Sequence, residues 1–145
     1  MSNVISQLRK IQANSHLLFV TFHNYHWNVK GMQFFPIHEM TQKLYESMSE
    51  IFDDTAERIL QLGGEPLVTL VEISKEASIQ EEIERSFEAK VVVERVAKAL
   101  EESKKEWLSL SKLAEEVRDT TTMAMADEKV AELEKQLWMF KSTLS

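Results

Sequence analysis

The sequence predicts an all-α protein: a bundle of four long helices paired into two hairpins, with a short extra helix in the long connection between the second and third. Three observations carry this. Apolar residues recur at alternating steps of three and four along four long stretches, the period of one helix face. Only three Gly and two Pro occur in 145 residues, too few turn-formers for the many hairpins of a sandwich or barrel. The segment from Glu65 to Glu88 is long for a plain loop, which implies a crossover rather than a tight turn.

In the first stretch the stripe is Leu8, Ile11, Ser15, Leu18, Phe22, Tyr25 and Val29. It ends at Lys30-Gly31, where glycine tolerates the left-handed backbone of a helix stop. Pro36 is expected to open the second helix, since a missing N–H costs nothing in the first turn. Its stripe is Ile37, Met40, Leu44, Met48, Ile51, Thr55 and Leu62, closed by Gly63-Gly64 and Pro66. Leu67 to Lys75 is the short helix of the connection. The third long helix runs from about Ala89 to Val117 on Val93, Val96, Leu100, Trp107, Leu110 and Ala114. The fourth follows cap candidates Thr120-Thr121-Thr122 and carries Met123, Ala126, Val130, Leu133, Leu137, Phe140 and Leu144. An up-down-up-down bundle with short loops is the alternative; the long connection favours the ferritin-like four-helix bundle.

At this length residues 1–145 are expected to form a single domain. The hydrophobic share of 43% and charged share of 28% exclude disorder. Without cysteine there are no disulfides, thiolate metal sites or cysteine nucleophiles, which fits a cytoplasmic location. No signal-peptide core or membrane-spanning run is expected. A net charge of −7 opposes nucleic acid on average.

Several polar residues are not needed by a bundle. His26 lies near the end of the first helix, beside the apolar stripe, and His38 in the first turn of the second. The short loop between them brings both imidazoles to one end of the hairpin, a plausible metal pair. Asp53 and Glu57, four apart, share a helix face and can chelate one hard cation. Hydrogen-bonded surface histidines and a solvated acidic face are the ordinary alternatives. His38 and Asp53 are separated by 15 positions on one helix, about 22 Å at 1.5 Å per residue. They cannot share a metal within one chain. An isologous two-fold dimer with antiparallel hairpins would set each imidazole pair against its partner's carboxylates, giving two equivalent sites.

The string His23-Asn24-Tyr25-His26-Trp27-Asn28-Val29-Lys30-Gly31, with Phe34-Phe35, His38-Glu39, Phe52-Asp53-Asp54-Thr55-Ala56-Glu57-Arg58-Ile59 and Gln61-Leu62-Gly63-Gly64, resembles the Dps family of mini-ferritins, most closely its neutrophil-activating-protein-like branch. Leu137-Trp138-Met139-Phe140 matches too, so the likeness covers essentially the whole chain. The resemblance implies a hollow homo-dodecamer. Iron(II) would be oxidised, preferably by hydrogen peroxide, at inter-subunit ferroxidase sites and stored as a ferric mineral, protecting DNA from oxidative damage. The ligands it implies are His26 and His38 of one subunit with Asp53 and Glu57 of another. Zinc is a possible substitute for iron.

One position departs from the pattern. Many family members carry an acid four residues after the second histidine, where this chain has Gln42, a weak ligand for a second iron. Asp119 and Asp127 flank the start of the last helix and are candidates for a cation pore. Trp27, Trp107 and Trp138 are expected to be packing residues. The competing function is a nucleoid-associated DNA-binding structural protein. Only Met1-Ser2-Asn3 precede the first helix, so no lysine-rich tail is expected to neutralise phosphate, and DNA binding should be weak or absent. A helical structural or signalling protein with a vestigial site is a third reading, which iron loading separates.

Overall fold

The computed structural model describes residues 1–145. The element order is α1 (Ser2–Asn28), β1 (Val29–Lys30), α2 (Phe34–Gln61), α3 (Leu70–Glu76), β2 (Phe87–Glu88), α4 (Ala89–Glu116) and α5 (Thr120–Leu144). Helices α1 with α2 and α4 with α5 are the two hairpins, and α1 meets α4 between them. The crossover carries the chain from the end of α2 to the start of α4, with α3 within it. No helix is long and apolar enough to cross a membrane.

The apolar stripes face inward. Leu8, Ile11, Leu18 and Phe22 of α1 pack with Leu44, Met48, Ile51 and Ile59 of α2, and with Val93, Val96, Leu100, Trp107 and Leu110 of α4. Trp107 is the largest fully buried side chain, in keeping with its packing role. The other two tryptophans do not pack into the bundle: Trp27 and Trp138 are 66% and 65% exposed. Each follows a stripe residue by one or two positions, so the helix turns it outward.

Helix α1 runs from Ser2, not from after Asn3, and stops at Asn28 ahead of Lys30-Gly31; three further helix boundaries differ from expectation, each for a local reason. Helix α2 opens at Phe34, because Gln33 serves as N-cap after Gly31 makes the turn at φ 108°. Pro36 is the third helical residue, still among those whose N–H has no intrahelical partner. The short helix starts at Leu70 instead of Leu67, since the Thr69 hydroxyl caps it by accepting from the Glu72 N–H. The last helix is capped by Asp119, ahead of the threonines: its carboxylate accepts from the Thr122 N–H. A carboxylate at the positive end of a helix dipole is the stronger cap.

Two features were not expected. Val29–Lys30 pair in parallel with Phe87–Glu88, stitching the end of the crossover to the end of α1. Two buried amides on α1 clamp the crossover's body. Gln12 donates to the Leu67 carbonyl and accepts from the Leu67 N–H. Asn14 accepts from the N–H groups of Ser78 and Ile79 and donates to Ser78 Oγ and the Glu106 carboxylate.

Burial pushes the Glu106 carboxyl up to about 7; the Asn14 hydrogen bond and Lys10 oppose the rise, and Glu102 adds to it. Between the ordinary value of 4.5 and about 7, the native state holds a proton the unfolded chain has released, so stability falls as pH rises and levels off above 7. Glu106→Gln keeps an acceptor for Asn14 without the charge. Thermal unfolding should show it more stable than wild type by about 1–3 kcal/mol near pH 8. Well below 4.5, where both states of the wild type are protonated, the difference should vanish.

Candidate metal centre

The tight α1–α2 turn brings His26 and His38 together. Their rings stack with centroids 3.5 Å apart and planes 14° from parallel. Each imidazole is fixed by the other's backbone. His26 Nδ1–H donates to the His38 carbonyl at 2.6 Å, and His38 Nδ1–H donates to the His26 carbonyl at 2.8 Å. A carbonyl only accepts, so the proton of each neutral ring sits on Nδ1 and the lone pair on Nε2. Both rings are thus held in the tautomer that ligates a metal through Nε2.

His26 is buried and His38 half-buried. Burial holds the His26 pKa below the ordinary histidine value, helped by His38 and His23 nearby and opposed by the His38 carbonyl. The ring is therefore neutral at pH 7, and a metal need not displace a proton.

Sequence reasoning missed two supporting side chains. Thr41, fully buried, donates its hydroxyl to the Ile37 carbonyl at 2.8 Å and places its oxygen 3.1 Å from His26 Nδ1. Tyr45 stands edge-on to His26 at 5.2 Å and stacks on His23 at 3.7 Å. The available signal was spacing: Thr41 lies one turn, and Tyr45 two, beyond His38 on the same helix.

Asp53 and Glu57 are exposed on α2, about two turns and one turn short of its C-terminus. The neighbouring Asp53 carboxyl raises the Glu57 pKa, by hydrogen bonding and by charge. A cation would relieve that repulsion. Helix α2 runs unbroken from Phe34 to Gln61, so the imidazoles and carboxylates stand about 22 Å apart along it. No group of three or more His, Asp or Glu side chains in the chain is placed to hold a metal ion.

Gln42 is exposed and donates to the Glu46 carboxylate at 3.0 Å. Asp119 is largely engaged within the chain: besides capping α5, it pairs with Arg58 at 3.0 Å, its side chain only 7% exposed. Asp127 is exposed and accepts from Ser111 Oγ.

Four long helices in two hairpins joined by a crossover, with imidazole and carboxylate pairs on its helices, define a protein of the ferritin-like class. The ferritin-like domain family matches residues 5–145. The chain belongs to that family and, within it, to the Dps proteins. It is 41% identical over 138 residues to the DNA protection during starvation protein of Helicobacter pylori, covering 95% of this chain and 96% of that one. Among solved structures, Helicobacter cinaedi CAIP superposes with a TM-score of 0.97 at 45% identity, over 98% of this chain and 99% of that one. A Vibrio cholerae Dps protein, one of a broad superfamily of ferritin-like diiron-carboxylate proteins, superposes at 0.94 with 26% identity, over 99% and 90% of the two chains.

Proposed function

We propose that this protein is a cytoplasmic ferroxidase. It oxidises iron(II), preferably with hydrogen peroxide, and stores the product as a ferric mineral inside a homo-dodecamer, protecting DNA from oxidative damage. His26 and His38 of one subunit, with Asp53 and Glu57 of its two-fold mate, bind the iron. The reciprocal hydrogen bonding that leaves both Nε2 lone pairs free is the observation that carries this reading.

The chemistry follows from the donor set. Neutral imidazoles and carboxylates accept iron(II), and zinc competes for the same ligands. Carboxylates stabilise the ferric product more than the ferrous reactant, because the ion's charge rises, so oxidation is favoured where the ion is bound. The stacked imidazoles, locked by backbone carbonyls, provide fixed donors that do not reorganise between the two oxidation states. Peroxide and oxygen are compared by following iron(II) oxidation under anaerobic and aerobic conditions. Peroxide-driven turnover that zinc inhibits supports the reading; no oxidation with either oxidant refutes it.

Gln42 leaves a second iron without a charged ligand on this side of the site. Gln42→Glu should tighten binding of the second metal by about tenfold, or about 1.4 kcal/mol. Calorimetry showing wild-type stoichiometry and affinity would refute that. The negative chain, at −7, makes DNA a poor ligand, so gel retardation at low salt should show no complex.

A further inference from the structure

Glu106 is a half-buried carboxyl that the iron site does not use. It is the one side chain that borders two openings on opposite sides of the bundle. On one side, a crevice of about 30 Å³ runs in between Ser47 of α2 and Gln136 of α5, to a floor that includes Ser15, Ser103 and Glu106. It has room for a water or two among polar partners. On the other side, a groove of about 620 Å³ lies under the crossover between α1 and α4, bordered by Lys10, Glu102, Lys105 and the same Glu106.

The crevice opens on the side that carries the carboxylates: Glu57 borders a shallow groove with Thr121 and Met125 of α5. Oxidation there makes acid. Two ferrous ions, one hydrogen peroxide and two waters give two FeO(OH) and four protons. Confined in a cage, those protons oppose further oxidation and dissolve mineral.

We propose that Glu106 carries protons through the bundle, taking them from water in the α2–α5 crevice and releasing them into the groove under the crossover. The proposal rests on the iron-oxidation function above. Each cycle makes and breaks only O–H bonds: the carboxylate takes a proton from crevice water and yields it to water in the groove. Asn14 holds Oε2 through its amide, leaving Oε1 to bear the proton. With its carboxyl raised to about 7, Glu106 exchanges protons at neutral pH. The charges lining the two openings are Lys10 from α1, Arg95, Lys98, Glu102 and Lys105 from α4, Glu81, Glu82 and Glu84 from the crossover, and Lys129 and Glu132 from α5; α2 presents only Ser47, Met48 and Ile51. Lys10 favours the ionised carboxylate and so promotes release of the proton, whereas Glu102 favours its uptake.

The test mixes the assembled protein with iron(II) and hydrogen peroxide in weak buffer containing a pH indicator too large to enter the cage. Iron oxidation and proton release are followed together. In wild type the two should keep pace. In Glu106→Gln oxidation should continue while proton release lags by about tenfold, and Glu106→Asp should fall between. Release at wild-type pace from Glu106→Gln overturns the proposal. Should that variant not assemble, Ser103→Val, which strips a hydroxyl from the crevice floor, must show the lag, and wild-type release from it overturns the proposal equally. A wild type that oxidises no iron removes the ferroxidase reading and this inference with it; a Glu106→Gln protein that keeps pace removes this inference alone.

Discussion

Replacing His26 or Asp53 with alanine should lower iron(II) oxidation by at least about a hundredfold and leave the assembly intact. His26→Ala removes an Nε2 donor and one of the two rings that stack on His38, leaving Phe34 as the other. Asp53→Ala removes one of two carboxylates on an exposed helix face, where the fold does not depend on it. Size-exclusion chromatography and peroxide-driven oxidation measure the two effects separately. Full activity in both variants would refute the assignment.

Mixing the two variants is the sharper experiment. In a dimer of one His26→Ala and one Asp53→Ala subunit, one site carries both lesions and the other carries none, provided that each site draws imidazoles from one chain and carboxylates from the other. Random co-assembly should then recover about a quarter of wild-type activity, because half the dimers are mixed and each holds one intact site. Sites contained within single chains would recover nothing. The measurement therefore tests the proposed shared site directly; the unbroken length of α2 keeps the imidazole and carboxylate pairs apart within one chain.

Most of the architecture was legible because period carries it. The stripes on α1, α2 and α4 place Leu8, Leu44 and Trp107 in the core where the spacing said they would be. Helix ends were less legible, because a cap is a contest between neighbours: Asp119 wins over three threonines by charge, and Gln33 starts α2 two residues before the proline. Of the site, sequence indicated the imidazole pair and the carboxylate pair. It did not show the reciprocal carbonyl locks, which depend on how tightly the α1–α2 turn closes, or Thr41 beneath them. Trp27 and Trp138 were misplaced for a related reason. Period identifies the stripe, and a large aromatic beside it looks like more core, yet a displacement of one position is about 100° of rotation.

The second large effect is expected far from the proposed iron ligands. Asn14→Ala should destabilise the protein by about 2–4 kcal/mol, and Gln12→Ala by somewhat less. Asn14 is 2% exposed and satisfies two backbone N–H groups of the crossover, Ser78 and Ile79, together with Ser78 Oγ and Glu106. Alanine leaves those part-buried N–H groups without their side-chain acceptor, at the point where α1 holds the crossover. Gln12 makes a two-way bond to a single residue, Leu67, so its removal frees fewer groups. Denaturant unfolding measures the loss. The effect should also reach the candidate metal centre, because the crossover ends in the Phe87–Glu88 strand that pairs with Val29–Lys30, three residues beyond His26. A loosened crossover frees that pairing, and with it the end of α1 that sets the distance between the two imidazoles. Hydrogen exchange should therefore quicken at both the crossover and residues 29 and 30 in Asn14→Ala. Quickening confined to the crossover would show that the α1–α2 turn holds its geometry alone.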